Sequence, residues 1–390
     1  MLDVARARAE TPGAADRIHL NNAGSALISR AVLDTTIGHL ELEAAIGGYE
    51  AADATEDRFN QVYGSIAALV GAESSEIAIV DNATVAWDLA FGSIEMGEGD
   101  TVITSESEYG TNYIMYLKTQ RERGANIRVV PSDATGQLDV DALEKAIDRS
   151  TRLISVTHVP TNGGLVNPAV EIGAIARAAG IPYLLDACQS VGQIVVDVEE
   201  IGCDFLSATG RKFLRAPRGT GFLYVRRDML DAIEPPVLDL HGATWVEPDR
   251  YEVRNDARRF ETWEFNHAGV LGMGVAVEEA LAWGIANIEE RVTRLGAQLR
   301  SGLHDAGFEV YDIGARKCGI VTTAVPGLDA EKARRALFEQ GVNVSVTGPD
   351  ATRIDAERRR LPDMLRLSPH YYNTEEELDA AVAALVGLRP

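Results

Sequence analysis

The chain has 390 residues, of which 46% are hydrophobic and 25% are charged, a composition typical of folded globular proteins. Its 37 Lys and Arg against 59 Asp and Glu give a net charge of -22, which argues against binding to nucleic acids or anionic membranes. Three scattered cysteines (Cys188, Cys203 and Cys318) show no zinc-binding spacing, and no apolar run reaches membrane-spanning length, so we expect a soluble cytoplasmic protein without a metal site.

The first two thirds of the chain alternate between apolar runs and helical patterns. Residues 28–46 and 55–70 have helical periodicity. Strands are predicted over residues 77–80, 101–104, 127–130, 153–157, 183–185 and 222–225. Helices between them are predicted over residues 83–94, 112–123, 140–148 and 170–179. Because these strands are continuously apolar, the pattern predicts an α/β fold with a mostly parallel sheet covered on both faces.

The pattern changes after residue 230. Residues 231–264 contain three prolines and two tryptophans, which is typical of a binding loop or a subunit contact. Helices are predicted over residues 268–283 and 288–306. A smaller α+β unit follows, with strands over residues 319–325, 343–346 and 364–368 and helices over residues 330–340 and 374–385.

Polar residues follow several of the predicted strands, where ligands of parallel sheets bind. Asn82, Ala83 and Thr84 open a helix, and they are either a phosphate seat or a plain helix cap. Tyr109 follows the second strand and is either an aromatic wall of a site or a core residue. Asp186 is either a buried carboxylate that needs a cationic partner or a helix cap.

A lysine stands between an apolar run near residues 204–208 and the predicted strand at residues 222–225, in the position of a turn between two buried strands. Lys212 lies in a polar turn bounded by Gly210 and Gly219, and it is either surface charge or a desolvated amine suited to imine chemistry. Considered together, the phosphate seat, the aromatic ring, the carboxylate and the lysine fit one ligand. They predict a pyridoxal phosphate site.

These motifs resemble the class V aminotransferase family of fold-type I pyridoxal phosphate enzymes, which includes cysteine desulfurases, kynureninase-like enzymes and isopenicillin-N-epimerase-like proteins. The most specific piece is Asp186-Ala187-Cys188-Gln189 followed by Lys212. The resemblance implies a large domain with a mostly parallel seven-stranded sheet and a smaller C-terminal α+β domain. It divides the chain into an N-terminal arm at 1–25, packed on the small domain or a partner, a cofactor-binding domain at 26–267, and a linking helix with the small domain at 268–390.

The resemblance also assigns roles to individual residues. Lys212 would form the internal aldimine and move the Cα proton, Asp186 would pair with the pyridine nitrogen, and Tyr109 would stack on the ring with a catalytic role. Other predicted cofactor contacts are to the phenolic oxygen (Thr161, Gln189) and to the phosphate (Asn82, Ala83, Thr84, Thr209, Arg211). Arg366 would bind the substrate carboxylate, and Asn22 and Trp263 complete the predicted substrate site.

Two departures from the cysteine desulfurases guide the expected reaction. Residues 345–363, where desulfurases carry a mobile catalytic cysteine, contain none, which predicts that the protein is not a persulfide-forming desulfurase. Trp263 and Glu264 replace a smaller turn that reaches into the neighbouring subunit. Fold-type I enzymes share sites between subunits, so a homodimer is implied.

The expected function is therefore a C–S β-lyase acting on a cysteine-derived S-conjugate. Transamination stays open, as does epimerisation, for which Tyr109 or His158 would supply a second base. A cofactor-binding regulatory protein is the non-enzymatic alternative.

Overall fold

The computed structural model describes residues 2–389, so residues 1 and 390 of the predicted arm and C-terminal domain lie outside the described residues. The helices are α1 (Val4–Ala9), α2 (Arg30–Ile46), α3 (Gly48–Ala54), α4 (Glu56–Val70), α5 (Ala83–Gly92), α6 (Gly110–Arg123), α7 (Val140–Ala146), α8 (Ala169–Ala179), α9 (Val198–Ile201), α10 (Arg227–Leu230), α11 (His267–Trp283), α12 (Ile285–Asp305), α13 (Ala330–Glu339), α14 (Arg353–Arg359) and α15 (Glu375–Val386). The strands are β1 (Ile18–His19), β2 (Ile77–Val80), β3 (Thr101–Ser105), β4 (Asn126–Val130), β5 (Thr151–Thr157), β6 (Tyr183–Asp186), β7 (Phe205–Thr209), β8 (Gly221–Val225), β9 (Ala243–Glu247), β10 (Arg250–Val253), β11 (Val321–Thr323), β12 (Val342–Asn343), β13 (Ser345–Thr347) and β14 (Met364–Leu367).

A seven-stranded sheet forms the centre of the molecule, in the order β2-β8-β7-β6-β5-β3-β4. β8 runs antiparallel to β2 and β7, and the other neighbouring strands are parallel. The predicted fold class is therefore confirmed. Because the strands from β3 to β7 run in one direction, their carboxyl ends meet at one edge of the sheet.

Both faces of this sheet are buried, as the continuous apolar strands predict. In β2, Ile77 and Ile79 belong to the hydrophobic cluster on one face. Ala78 and Val80 belong to the cluster on the other face, which α5 and α6 cover with Trp87 among others. Because side chains on both faces of these strands are buried and mostly apolar, polar side chains that contact a ligand are expected at or just beyond the strand ends.

The C-terminal unit has a sheet of its own, in the order β11-β14-β13. Leu299 of α12, Leu365 of β14 and Leu378 of α15 share its hydrophobic cluster. The N-terminal residues join this unit, since β1 pairs with β12 and Arg8 forms an ion pair with Glu377 at 2.8 Å. The domain borders given above stay a prediction.

The two segments singled out in the sequence, residues 231–264 and 345–363, contain regular secondary structure. Within residues 231–264, β9 and β10 form an antiparallel hairpin that exposes Trp245 and Tyr251. Residues 345–363 fold into β13, a short 3₁₀ turn and α14, and Asp355 of α14 donates its backbone N–H to the carbonyl of Glu106.

Across residues 2–389, no single helix is both long and apolar enough to cross a membrane. The adjoining helices α11 and α12 pass that test only together, with a bend of 81° between them. Most apolar side chains of α11 are buried inside the protein.

Candidate active site

A cavity of about 290 Å³ lies where the carboxyl ends of the central strands meet. β2, β3, β6 and β7 lead into it, and the loop between β7 and β8 closes one side. Its lining residues are Asp81, Asn82, Ala83, Thr84, Tyr109, Asn112, Asp186, Cys188, Thr209, Arg211, Lys212, Arg218 and Gly219. The structure thus brings most of the predicted cofactor residues to one place.

The amino end of α5 forms one end of the cavity. Asn82 caps this helix, its Oδ1 accepting from the N–H of Val85 at 3.1 Å, so the first N–H groups of the helix face the cavity edge. Arg211 lies across from it and donates to the Thr209 hydroxyl at 3.1 Å. Gly221 of β8 allows the backbone of Asn82 to lie close to the sheet, because a Cβ at residue 221 would lie 2.9 Å from the Cα of Asn82. Free N–H groups, a helix dipole and a guanidinium suit a phosphate.

Asp186 lies deep in the cavity and is 5% exposed. Its Oδ1 accepts from the N–H of Cys188 at 2.9 Å, and its Oδ2 accepts from Asn112 at 3.0 Å. Burial raises the pKa of Asp186, while these two donors and the charge of Lys212 oppose the rise. A buried carboxylate with no ion-pair partner within residues 2–389 is complementary to a protonated pyridine nitrogen, so the arrangement fits the predicted ring.

Lys212 reaches the same cavity from the loop between β7 and β8. Its Nζ donates to Cys188 Sγ at 3.1 Å, and burial is the main cause that raises the pKa of the Cys188 thiol. The amine therefore has a neutral thiol as its partner and stays available for a carbonyl carbon in the cavity. Gln189 lies outside the lining: it is buried and donates to the carbonyl of Ala23 at 3.2 Å, and its Oε1 has no partner within residues 2–389.

Arg366 of β14 is 8% exposed and lies close to the cavity. It donates to the carbonyl of Thr161 at 3.3 Å, to the Thr161 hydroxyl, and to Ser345 Oγ at 3.2 Å. Burial lowers the pKa of Arg366 to about 10; among the smaller causes, Tyr109 raises it and Arg211 lowers it. A buried guanidinium whose partners within residues 2–389 are all neutral is suited to binding a carboxylate from outside the protein.

Two predicted substrate residues lie elsewhere. Asn22 is fully buried, donates to the carbonyls of Ser368 at 2.7 Å and His19 at 3.2 Å, and accepts from the Tyr372 hydroxyl. Its amide connects the N-terminal arm to the C-terminal unit. Trp263 is 60% exposed and lines a separate cavity of about 480 Å³. Their substrate-binding roles stay predictions, because in a single subunit neither side chain lines the cavity that holds Lys212.

The two candidates for a second base also differ in position. Tyr109 lines the cavity that holds Lys212. His158 lines a different cavity with Asn167 and Arg316, and burial lowers its pKa to about 3. His158 is therefore neutral and lies away from the site.

Sequence reasoning missed three residues that form hydrogen bonds in the network around Asp186 and Lys212. Glu108 and Asn112 connect to Asp186 through hydrogen bonds, and Cys188 contacts Lys212. The sequence offered a weak signal: Glu108 directly precedes Tyr109, and Asn112 lies in the first turn of the helix that follows Tyr109. Cys188 is two residues beyond Asp186 in the motif that had already been singled out.

Residues 18–381 match the family model described as Aminotransferase class-V. The chain is 32% identical over 318 residues to a probable cysteine desulfurase of Methanothermobacter thermautotrophicus, a match that covers 80% of this chain and 79% of that protein. It is 31% identical over 411 residues to a cysteine desulfurase of Serratia proteamaculans, covering 98% and 97%.

Two solved structures share the fold. The apo cysteine desulfurase of Thermococcus onnurineus NA1 superimposes with a TM-score of 0.91 at 23% identity, over 100% of this chain and 98% of that one. A C-DES mutant with glycine covalently linked to its PLP cofactor superimposes with a TM-score of 0.87 at 21% identity, over 97% and 98%. The resemblance seen in the sequence is confirmed.

These relatives correct the expected reaction. The prediction of a C–S β-lyase acting on S-conjugates is wrong, as is the exclusion of a cysteine desulfurase, because the relatives at 31% and 32% identity are named cysteine desulfurases. The error came from the missing cysteine in residues 345–363. The absence of one residue type from that segment did not exclude the activity for which the relatives are named.

Proposed function

Because the chain belongs to the class V aminotransferase family, we propose that it is a cysteine desulfurase that converts L-cysteine into L-alanine and transfers the sulfur to a thiol. Its cofactor, pyridoxal 5'-phosphate, was predicted from the sequence and is confirmed by the family. The observation that carries the proposal is Arg366, a buried guanidinium with neutral partners beside the cavity of Lys212. The similarity to named desulfurases over most of the chain supports the choice of cysteine.

The residues of the cavity divide the work among them. The N–H groups of α5 together with Thr84, Thr209 and Arg211 would hold the phosphate, and Asp186 would hold the protonated ring nitrogen. When bound, the cofactor supplies a ring that accepts electron density from the substrate Cα. Lys212 would hold the cofactor's aldehyde carbon in the resting enzyme and carry the proton at the substrate Cα.

Arg366 would orient the substrate. Its guanidinium can take both oxygens of the α-carboxylate, exchanging the neutral acceptors Thr161 and Ser345 for a charged one. Binding at this point holds the rest of the amino acid toward Lys212. The side chain of cysteine is small, which suits a cavity of about 290 Å³ that the cofactor also occupies.

The sulfur acceptor is proposed to be a thiol that enters from solution. The thiol sulfur attacks the sulfur of cysteine, the Cβ–S bond breaks, and an S–S bond forms. Cβ gains a proton and becomes the methyl group of alanine, while the acceptor leaves as a persulfide. The chain's own thiols are poorly suited, since burial raises the pKa of Cys318 to about 11 and also raises the pKa values of Cys188 and Cys203.

The test is to incubate the holoenzyme with L-cysteine and dithiothreitol and to quantify alanine and sulfide. We expect the two in equal amounts, at a rate that rises with the dithiothreitol concentration. Lys212→Ala is the matched control and should yield neither. Pyruvate and ammonia in place of alanine would overturn the proposal, and alanine formed at a rate independent of the added thiol would overturn the assignment of the acceptor.

We infer further that the protein is a cytoplasmic homodimer. Leu40, Tyr49 and Trp263 are large, exposed and apolar, and all three line the cavity of about 480 Å³, which a second copy would cover. Sedimentation equilibrium should give twice the mass of the chain, and Trp263→Arg should shift the equilibrium toward the monomer. A wild-type monomer at micromolar concentration contradicts the inference.

The acidic composition and unpaired cysteines support the cytoplasmic location.

A further inference from the structure

Glu108 is a buried carboxylate at the start of α6 for which the proposed reaction has no use. It is 2% exposed, and it accepts hydrogen bonds from five donors. These donors are Thr104 Oγ1 at 2.8 Å, the Tyr109 N–H at 2.9 Å, Asn112 Nδ2 at 2.9 Å, the Thr157 N–H at 3.2 Å and the Thr157 hydroxyl. Three of the five are N–H groups, which can only donate, and they fit an ionised carboxylate, which only accepts. Burial raises the pKa of Glu108, while the hydrogen bonds from Thr157, Thr104 and Asn112 oppose the rise.

Asn112 joins this carboxylate to the one in the cavity. Its Nδ2 donates to Glu108 Oε1 at 2.9 Å and to Asp186 Oδ2 at 3.0 Å. An amide nitrogen has two hydrogens, and each is directed at a different carboxylate. The backbone N–H of Cys188 holds the other oxygen of Asp186. The orientation of Asp186 therefore depends on Asn112, and the orientation of Asn112 depends on Glu108.

Glu108 also holds a second wall of the cavity. The N–H of Tyr109 donates to Glu108 Oε1, and Tyr109 is the residue that precedes α6 and lines the cavity. One carboxylate thus holds the backbone of the ring-facing tyrosine and, through one amide, the side chain of Asp186. Neither Glu108 nor Asp186 forms an ion pair with lysine or arginine within residues 2–389, and the charge of Lys212 only opposes the rise in the pKa of Asp186.

We propose that Glu108 and Asn112 are positioning residues for the cofactor: they hold Asp186 toward the pyridine ring nitrogen and favour a proton on that nitrogen. Asn112 supplies the donor that aims the Asp186 carboxylate, and Glu108 adds a second negative charge behind it. The proposal rests on the predicted pairing of Asp186 with the ring nitrogen. It is independent of the amino-acid substrate and of the sulfur acceptor.

The experiment compares two cofactors in two proteins. Apoenzyme of the full chain, wild type and Asn112→Ala, is titrated with pyridoxal phosphate and with its 1-deaza analogue, in which a C–H replaces the ring nitrogen. A hydrogen bond to a charged group is lost, so we expect Asn112→Ala to bind pyridoxal phosphate about 10- to 100-fold more weakly. The analogue cannot pair with Asp186, so its affinity should change by less than about threefold.

The comparison separates positioning from general support of the fold. Equal losses for both cofactors would overturn the proposal, as would unchanged binding of pyridoxal phosphate. A second readout is the ¹⁵N chemical shift of the labelled ring nitrogen, which should move toward the value of the unprotonated ring in Asn112→Ala.

Two further variants complete the design. Tyr116 lies on the same helix as Asn112 and donates to Ser155 Oγ at 2.8 Å, but it forms no hydrogen bond with Asp186. Tyr116→Phe removes this buried hydrogen bond and should bind both cofactors as the wild type does. Asn112→Ser retains a single donor and replaces Asn112→Ala in the comparison if the alanine variant does not fold. No amino acid is added, so failure here is distinct from failure of the proposed desulfurase reaction.

Discussion

Replacing Arg366, although it is buried, should leave the stability of the protein almost unchanged while it impairs substrate binding. Burial lowers the pKa of Arg366 from 12.5 to about 10, and this difference corresponds to about 3 kcal/mol lost from the free energy of unfolding at neutral pH. The sign follows from the lowered pKa: the guanidinium is charged in both states at pH 7, and the folded state holds it less favourably. Arg366→Met removes this cost but also loses three hydrogen bonds, two to Thr161 and one to Ser345, each worth about 1 kcal/mol.

The expected balance is a free energy of unfolding of the apoenzyme that stays within about 1 kcal/mol of the wild type. The assay is urea unfolding followed by far-UV circular dichroism, with all proteins at the same concentration. The same variant should lose about 100-fold in kcat/KM for L-cysteine, because a carboxylate then enters a buried site without its cation. Most of this loss should appear in KM.

Arg291→Met is the matched control for the stability measurement. Arg291 is also buried, at 6% exposure, but it donates to both carboxylate oxygens of Glu375 and to the carbonyl of Asn373. Removing a buried cation that has a charged partner should destabilise the protein. If Arg366→Met is destabilised as much as Arg291→Met, the view of Arg366 as an unpaired cation kept for a ligand is refuted.

The remaining predictions concern stability. The pKa of Glu375 is lowered to about 2, first by the hydrogen bond from Arg291, so its contribution is present above about pH 4.5 and is lost as the pH falls toward 2. The difference in urea midpoint between wild type and Glu375→Gln should therefore shrink over that range; a constant difference would contradict the assignment. Gly173→Ala should destabilise the protein by more than about 2 kcal/mol, since a Cβ at Gly173 would lie 1.7 Å from the carbonyl oxygen of Ile201. Gly64→Ala, in α4 with no atom within 4 Å of the added Cβ, should instead stabilise it by about 0.5–1 kcal/mol, and thermal unfolding distinguishes the two.

Sequence reasoning located the strands and the residues that follow them. The six predicted strands form within two residues of their expected bounds, because a strand buried on both faces is mostly apolar along its whole length. The same property places polar residues at the strand ends, which is why Asn82, Tyr109 and Asp186 could be predicted to lie in one cavity. Lys212 followed from its place in a polar turn between two apolar strands.

Composition of a loop was a weaker guide. The lack of cysteine in residues 345–363 led to the wrong expected reaction, because a missing residue on one segment does not describe the cavity that holds Lys212. The substrate-binding role of Trp263 was likewise predicted from a single sequence segment, and it stays a prediction. Its position in the motif was clear, but the exposed surface on which it lies depends on how α2 and α3 pack beside it.

Only the tertiary structure decided which distant residues meet. Arg366 lies 205 residues from Thr161 along the chain and yet donates to it, and Asn112 reaches Asp186 across 74 residues. Asn22 has the same residue type as Asn112, but its amide is saturated by Ser368, His19 and Tyr372. The physical reason is that apolar periodicity is a local property of the chain, whereas the partner of a buried polar group is set by packing between segments that share no sequence pattern.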